Sequence, residues 1–264
     1  MKIAVCIKQV PATESKIKLS SDGKEIDRAG LTYVVNPYDE FGVEEALRIK
    51  ERRNEGSVTV LTIGPERATE ALRTCLALGA DQAIHVKDNR IEGGDAYTVA
   101  LVLAAALKKG DYDIIFFGKQ AVDDDNGAVG IHVAEFMGLP HVAVINKLNL
   151  KPEEGKAVAS RQIEGANEII EIKLPAVFTC QKGLNEPRYA SLPGIMKAKQ
   201  KPLTRLTLDE LGVNEESVGA RGAKLYVDLL EAPDIRSAGQ IIDKDPAESV
   251  EALVRLLRVE AKVL

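Results

Sequence analysis

Strands and helices alternate along the first 145 residues, and this alternation limits the possible folds more than any other feature. The stretch 57–63, SVTVLTI, is apolar or β-branched at almost every position, and helical segments stand before and after it. A strand without a polar face is typical of a sheet that is buried on both sides, and intervening helices make successive strands run parallel. The sequence therefore predicts an α/β fold with a parallel sheet flanked by helices.

Residues at the predicted helix ends support this interpretation. Pro37 suits the first position of a helix, Asn36 is suited to cap it, and Asp39 favours the positive end of the helix dipole. Gly79 is suited to end the next helix. The predicted strands in this part are 2–10, 57–63, 82–86 and 112–117, and the predicted helices are 37–53, 66–78 and 95–108.

The pattern changes after residue 126. The predicted elements are a helix over 127–138, a strand over 141–145, two extended runs within 146–172 joined by a turn at 152–155, a strand over 175–180 and an exposed loop over 183–194. Extended runs that a short turn joins are typical of antiparallel pairing. We therefore expect an antiparallel extension of the sheet.

From about residue 201 the alternation of strands and helices ends. The sequence predicts a short helix over 207–211, an extended run over 223–230, a turn near Pro233 and a final helix from about Pro246. Val250, Leu253 and Val254 lie near one face of that helix, and such a stripe packs either on its own domain or on a partner. We divide the chain into an α/β domain, 1–200, and a C-terminal arm, 201–264.

Composition excludes several classes of function. The chain has 35 Lys and Arg against 40 Asp and Glu, a formal net charge of −5, which argues against non-specific nucleic-acid binding. The longest apolar run, 99–107, is far shorter than the roughly 20 residues that span a bilayer, so we expect no membrane insertion. Cys6, Cys75 and Cys180 are far apart. We therefore expect no disulfide framework, no CxxC or structural zinc site and a reducing compartment.

The segment GKQAVDDDNG, 118–127, follows a predicted strand and precedes a helix. Loops at the carboxyl ends of parallel strands are where α/β folds bind ligands, and the free amides at the start of a helix suit phosphate. Gly127, Ala128 and Gly130 are small enough for a ligand to approach the backbone. A nucleotide loop is the first interpretation. Two alternatives stay open: carboxylates that hold Mg²⁺, or a solvated acidic helix start.

Two further strand-end turns, at 36–39 and 63–65, would lie along the same edge of the sheet. Each alone is ordinary turn chemistry, but together they support a shared pocket. The sequence has no G-x-G-x-x-G after its first strand, no G-x-x-x-x-G-K-[ST] and no G-x-S-x-G. A Rossmann hydride-transfer enzyme, a P-loop NTPase and an α/β-hydrolase are therefore poorly supported. The chain is predicted to bind a nucleotide rather than to catalyse a reaction.

The segment 184–199, LNEPRYASLPGIMKAK, combines apolar and basic residues. Leu192, Ile195 and Met196 stand near Arg188 and Lys197, and apolar anchors rimmed by charge are typical of small docking patches. The alternative is a basic surface loop whose apolar residues point inward. The residues alone leave both interpretations open.

This segment also resembles the signature of the small (beta) subunit of electron-transfer flavoprotein. GKQAVDDD (118–125), VNPYDEFGVEEALRIK (35–50) and RTCLALGADQAIHV (73–86) agree with that family at corresponding places. With the N-terminal KIAVCIKQV, the resemblance covers nearly the whole chain. It implies an adenine-nucleotide α-hydrolase-like fold whose C-terminal arm packs on a larger alpha subunit.

The resemblance further implies an electron carrier without bond chemistry of its own. Such a heterodimer holds its redox FAD mainly in the alpha subunit and a structural AMP in the beta subunit. It accepts electrons from acyl-CoA or related dehydrogenases and passes them to an acceptor such as a quinone oxidoreductase. The expected compartment is the cytoplasm of a prokaryote or the mitochondrial matrix of a eukaryote. Two alternatives are an electron-bifurcating subunit with its own FAD and a stand-alone adenine-nucleotide-binding protein.

Carried over position by position, the resemblance assigns two sets of residues. The residues expected at the AMP are Cys6, Asn36, Pro37, Tyr38, Asp39, Ile63, Gly118, Lys119, Gln120, Ala121, Val122, Asp123, Asp124, Asp125, Asn126, Gly127, Ala128 and Val129. Tyr38 would also lie toward the FAD of the alpha subunit. The residues expected to dock dehydrogenases are Leu192, as the anchor, with Pro193, Ile195 and Met196.

Overall fold

The computed structural model describes residues 1–233 and 239–264. The strands are β1 (Lys2–Cys6), β2 (Gln9–Pro11), β3 (Tyr33–Val35), β4 (Ser57–Ile63), β5 (Gln82–Val86), β6 (Ile114–Gly118), β7 (His141–Lys151), β8 (Lys156–Ile163), β9 (Ala166–Lys173), β10 (Ala176–Cys180) and β11 (Leu203–Leu206). The α-helices are α1 (Pro37–Arg53), α2 (Ala68–Leu78), α3 (Ala96–Leu107), α4 (Val129–Met137), α5 (Leu192–Ala198), α6 (Leu208–Leu211), α7 (Gly219–Gly222) and α8 (Pro246–Arg255). A π-helix, Leu256–Glu260, continues α8.

Nine strands form one sheet in the order β11-β5-β4-β1-β6-β10-β7-β8-β9. Neighbours from β11 to β7 run parallel, whereas β8 is antiparallel to both β7 and β9. The predicted fold class, a parallel sheet with an antiparallel extension, is confirmed. The order reverses at β1, because β4 lies on one side of it and β6 on the other. Such a reversal leaves a crevice for ligands at the carboxyl ends of the strands.

Helices cover both faces of the parallel part of the sheet. Ile3 and Val5 of β1 pack in the core layer that contains α1 and α2, whereas Ala4 and Cys6 pack in the layer with α3 and α4. All four side chains are buried, because successive residues of a strand point to opposite sides. Burial of a side chain such as Ile3 stabilises the fold by roughly 1.5–3 kcal/mol. Core layers on both faces of the sheet therefore fix the position of the end of β1, which borders the crevice.

The predicted strand 2–10 is divided in two. β1 ends at Cys6, and Lys8 donates its backbone N–H to the carboxylate of Asp39 instead of to a neighbouring strand. The chain then turns away, and β2 pairs with β3 in a separate antiparallel ribbon. The strand thus ends where Asp39 of α1 binds the backbone of Lys8, and no local sequence pattern predicts this contact.

The antiparallel extension is divided differently from the prediction. The predicted strand 141–145 and the first extended run form the single strand β7, and a second turn at Glu164 and Gly165 divides the second run into β8 and β9. Gly165 has a φ of 73°, a backbone conformation that glycine adopts readily. A glycine within an apolar and charged run was the available signal for this turn.

The chain beyond residue 200 begins as part of the sheet. The strand β11 was not predicted; it pairs in parallel with β5, and Leu208 of α6 is fully buried. The run 223–230 is described but joins no sheet; Leu225 donates its N–H to Asp95 and Leu230 to Gly23. The predicted turn near Pro233 adjoins residues 234–238, which lie outside the described residues. The division at residue 200 stays a prediction.

The predicted final helix is present and begins at Pro246 as expected. It buries none of its own residues, and Val250, Leu253 and Val254 are at least 37% exposed. Across the part of the chain that the structure describes, no helix has the length and apolar character needed to cross a membrane.

Candidate functional site

Asp39 lies in the crevice between β1 and β6 and ties the ends of the two strands together. Its Oδ2 accepts the N–H of Lys8 at 2.6 Å, and its Oδ1 accepts the N–H of Gly118 at 2.9 Å. The side chain is buried. Burial raises the pKa of this carboxyl to about 7, against the opposing pull of the two N–H donors. Asp39 thus fixes the shape of the crevice through these two hydrogen bonds. The sequence had indicated only a favourable interaction with the helix dipole.

Asn36 stands at the cap position of α1, but its side chain does not cap the helix. It crosses the crevice instead: its Nδ2 donates to the carbonyl oxygen of Gln120 at 2.9 Å, and its Oδ1 accepts the N–H of Val122 at 3.1 Å. The predicted capping role of Asn36 is therefore wrong. A buried amide that satisfies both of its polar ends on one loop fixes the path of that loop.

The carboxylates of the acidic loop are engaged within the site. Lys8 Nζ lies 2.8 Å from Asp123 Oδ1 and 3.0 Å from Asp124 Oδ2, and Gln120 donates to Asp125 at 2.5 Å. Burial disfavours the ammonium of Lys8, but the two carboxylates outweigh it and raise its pKa. Among residues 1–233 and 239–264, no three His, Cys, Asp or Glu side chains are grouped so as to hold a metal ion. The Mg²⁺ alternative therefore has no support in the geometry.

Small residues keep the crevice narrow. A Cβ at Gly118 would lie 2.4 Å from Asp39 Oδ1, so only glycine lets α1 approach the end of β6 this closely. Gly127 has a φ of 66°, and a Cβ there would meet only Lys119 O, at 3.3 Å, and Gln120. The space beside Gly127 is therefore open, whereas the space beside Gly118 is filled by the protein itself.

The start of α4 offers free backbone amides. Ala128 occupies the cap position and has no side chain that could accept a hydrogen bond from them. The first N–H groups of a helix lack partners inside it and carry the positive end of its dipole. Backbone amides beside an open glycine suit the phosphate of a nucleotide, so the residues present fit such a group.

The remaining predicted residues of the crevice lie at strand ends. Cys6 ends β1 and is buried, which raises the pKa of its thiol well above the usual range. Ile63 ends β4 and packs against the same core layer as Cys6. The ring of Tyr38 lies 4.8 Å from Lys119 Nζ. The structure thus brings the predicted corners 36–39, 63–65 and 118–129 to the carboxyl edge of the sheet.

Sequence reasoning missed Lys8. A cation at the end of an otherwise apolar strand, in a chain with three consecutive acids elsewhere, was the available signal. Lys8 and Asp123 are far apart in sequence, and only the parallel pairing of β1 with β6 brings them together.

The segment 184–199 is partly helical and presents its apolar residues outward. The exposed loop predicted over 183–194 is wrong at its end, because Leu192 begins α5, where Ser191 accepts the N–H of Gly194 at 3.2 Å. Leu192 is 79% exposed and Met196 74%, while Ile195 is half exposed. The alternative in which these side chains point inward is not what the structure has.

One of the basic residues near this segment faces the protein. Lys201 Nζ donates to the carbonyl oxygens of Leu76 at 2.9 Å and Ala80 at 2.6 Å, at the end of α2. A cation in this position satisfies carbonyls that the helix leaves free and favours its dipole. Lys197 and Lys199 are exposed and belong to the rim of the apolar patch.

Comparisons with known proteins identify relatives of this chain. The family model for the electron transfer flavoprotein domain matches residues 24–211. The electron transfer flavoprotein subunit beta of Bacillus subtilis is 40% identical over 265 residues, with 100% of both chains covered. The protein of the same description from Methylophilus methylotrophus is 38% identical, with 97% of this chain and 98% of the relative covered.

A third relative has a different description. The caffeyl-CoA reductase-Etf complex subunit CarD of Acetobacterium woodii is 37% identical, with 92% of each chain covered. The resemblance found in the sequence is thus confirmed along the full length of the chain. This chain therefore belongs to the electron transfer flavoprotein family, whose beta subunits are electron carriers and not enzymes.

Proposed function

We propose that this chain is the beta subunit of a heterodimer with a larger alpha subunit, and that it binds AMP in the crevice between β1 and β6. One observation carries the proposal. Asn36, Asp39 and Lys8 hold the loop 118–127 by its backbone and its carboxylates, so the protein's own side chains fix the shape of the loop. A preformed site binds without the cost of ordering its own residues.

Within this crevice the AMP phosphate would lie against the amides of Gly127, Ala128 and Val129. Gly127 leaves room for it, and the pairing of Asp123 and Asp124 with Lys8 offsets negative charge that would otherwise repel it. The nucleotide has a structural role here: a ligand that binds only the folded state stabilises that state.

The arm supports the proposal of a partner subunit. The apolar stripe of α8, with Val250, Leu253 and Val254, is exposed in this chain alone. An apolar helix face of this kind is typical of a surface that another protein covers. We assign that cover to the alpha subunit, which would carry the redox FAD with Tyr38 lying toward it. The FAD supplies the electron-transfer chemistry, and this chain supplies binding and orientation.

The exposed patch of Leu192, Pro193, Ile195 and Met196 is the proposed docking surface for the electron donors. These would be acyl-CoA or related dehydrogenases, with a downstream acceptor such as a quinone oxidoreductase and no part for nucleic acid. Leu192 and Met196 lie one helical turn apart and are largely exposed, as anchors for a partner pocket must be. The compartment would be the cytoplasm of a prokaryote or the mitochondrial matrix.

Release and chromatography of bound nucleotide test the proposal. The heterodimer is purified, denatured and analysed, and we expect one AMP and one FAD per heterodimer. The chain expressed alone should be colourless, because the crevice is lined by small and polar residues rather than by an aromatic slot for a flavin ring. Tightly bound FAD in the lone chain would reject AMP and support an electron-bifurcating subunit. A heterodimer without any AMP or second FAD would reject the nucleotide site.

A further inference from the structure

A chain of polar contacts joins the segment 184–199 to the flank of α1. Arg188 Nε lies 2.8 Å from Glu44 Oε2, and its Nη1 and Nη2 lie 2.5 and 2.9 Å from the two carboxylate oxygens of Glu51. The backbone N–H of Arg188 also donates to Glu44, at 3.3 Å. Both the side chain and the main chain at residue 188 are thus fixed to one helix.

Glu44 is the centre of this cluster. Its side chain is only 4% exposed, and Arg48 holds its second oxygen at 2.5 Å. Burial alone would raise the pKa of Glu44, but the hydrogen bonds from Arg188 and Arg48 outweigh it and lower the pKa. A buried carboxylate with a guanidinium on each oxygen is a rigid attachment point, because breaking it leaves a buried charge unpaired.

The other end of the segment is attached to α2. Arg73 donates to the carbonyl oxygens of Ala198 at 2.6 Å and Lys201 at 3.0 Å. A Cβ at Gly194 would lie 2.4 Å from the carbonyl oxygen of Ala77, so α5 lies directly on α2. The exposed side chains of Leu192 and Met196 therefore lie between two fixed ends.

We propose that Arg188 is a positioning residue for docking: by binding Glu44 and Glu51 it sets the angle at which the chain reaches α5, and so where Leu192 points. This inference rests on the proposed docking function. The two ends differ in kind. Arg73 and Lys201 bind backbone carbonyls next to the core, whereas Arg188 binds two carboxylates of α1, the buried one of Glu44 and the half-exposed one of Glu51. Loss of Arg188 should therefore loosen the 186–191 stretch without unfolding α5.

The test uses the assembled heterodimer in a dehydrogenase assay, with Arg188→Gln, Arg188→Lys and Glu51→Gln. We expect Arg188→Gln to raise the apparent KM for the flavoprotein by about 3- to 10-fold, because only a fraction of molecules then present Leu192 correctly. The kcat at saturation should not change. Arg188→Lys should recover part of the loss, since a lysine cannot bridge both carboxylates. Glu51→Gln should raise KM by about 2-fold.

Glu55→Gln is the matched control. Glu55 lies just beyond α1 and is as exposed as Glu51, but it pairs with Arg53 and does not touch the segment. Its KM should equal that of the wild type. The rise of KM at constant kcat is the readout that a merely structural role would not move. Hydrogen exchange shows that the effect is local: in Arg188→Gln, amides of 186–196 should exchange faster, while those of 114–125 stay protected.

Three results separate the possibilities. Faster exchange at 186–196 with an unchanged KM, while Leu192→Ala raises KM, would overturn the positioning role and leave docking intact. An unchanged KM in Leu192→Ala would reject the docking surface itself. If Arg188→Gln fails to assemble, Glu51→Gln decides the question, because Glu51 is more than half exposed and its substitution should change stability little. An unchanged KM in that variant overturns the proposal.

Discussion

The crevice and the segment 184–199 contact the same helix in opposite ways. At the start of α1, Asn36 and Asp39 point inward and hold backbone groups of the loop that follows β6. Along its flank, Glu44 and Glu51 hold Arg188, while Leu192 beyond them points outward. The first region would recognise its ligand with backbone amides, and the second would recognise a protein with side chains.

This difference predicts how each region responds to substitution. In the crevice the side chains are the framework, and a buried donor left without a partner costs about 1–3 kcal/mol. Changes there should lower stability and ligand binding together. In the segment the recognising side chains are exposed, and most exposed substitutions change stability by no more than about 0.5 kcal/mol. Changes there should alter docking alone.

The largest effect is expected for Asp39→Asn. The carboxylate accepts the N–H groups of Lys8 and Gly118, whereas an amide offers one acceptor and one donor group. One buried N–H then faces another donor, and we expect a loss of about 3 kcal/mol in the free energy of unfolding. Thermal melting of the heterodimer should shift down, and bound nucleotide should become substoichiometric.

Glu40→Gln is the control for that variant. Glu40 is the next residue of α1, and its side chain makes no hydrogen bond or ion pair within the described residues. Its variant should melt and bind nucleotide like the wild type. If Asp39→Asn did the same, the crevice would not depend on its inward side chains, and the comparison between the two regions would collapse.

The pH dependence of Asp39 gives an independent check. Its pKa is raised from the ordinary 3.8 to about 7 in the folded protein, so the folded state binds the proton more tightly than the unfolded chain. The stability that this residue contributes is fully present below pH 4 and is lost as pH rises through 7. The difference in unfolding free energy between wild type and Asp39→Asn should therefore shrink from pH 5 to pH 8. A difference that grows would contradict the assignment.

Leu192→Ala tests the other region. A buried anchor of this size contributes on the order of 1.5–3 kcal/mol, roughly a 10- to 150-fold change in affinity. Melting and nucleotide content should stay near wild type, while the apparent KM for the flavoprotein rises. Ile169→Ala, on the far edge of the sheet and 76% exposed, should leave KM unchanged. Lower melting with normal docking would mean that Leu192 serves folding.

Gly127→Val separates backbone strain from loss of the ligand. Gly127 and Gly138 have nearly equal φ values, 66° and 65°, and valine at either position costs about 1–3 kcal/mol in strain. Both variants should melt at similarly lowered temperatures when nucleotide is absent. Only Gly127→Val should lose nucleotide, because a Cβ at Gly138 has no neighbour within 4 Å. Equal nucleotide content in the two variants would reject the proposed position of the phosphate at this loop.

The sequence predicted the sheet well because its signals are local. Apolar runs such as Ser57–Ile63 and the Asn-Pro start of α1 determine element type within a few residues. The site was predicted in location but not in mechanism. That Asp39 ends the first strand, that Asn36 crosses to Gln120 and that Lys8 pairs with Asp123 all depend on contacts between distant segments. The strand β11 was missed for the same reason. Its four residues have no clear strand pattern of their own, and they form a strand because they pair with the free edge of β5.

The smallest effects are expected for substitutions of Lys199 and Lys201, which nothing in the sequence distinguishes. Lys199 is exposed and forms no ion pair within the described residues, whereas Lys201 donates to Leu76 and Ala80 at the end of α2. Lys199→Gln should raise the apparent KM by about 2-fold at low salt and have no effect at high salt, because steering by exposed charges is screened. Melting should not change.

Lys201→Gln should behave in the opposite way. Loss of the cation leaves helix carbonyls without a partner and lowers stability by about 0.5–1 kcal/mol, with little change in the salt dependence of KM. The two variants carry the same chemical change at positions two residues apart. Any difference in their KM or melting temperature therefore reports on where each side chain points. If both substitutions altered KM in the same salt-dependent manner, Lys201 would face the docking partner rather than the end of α2. The recognition surface would then extend beyond the segment 184–199 to residue 201.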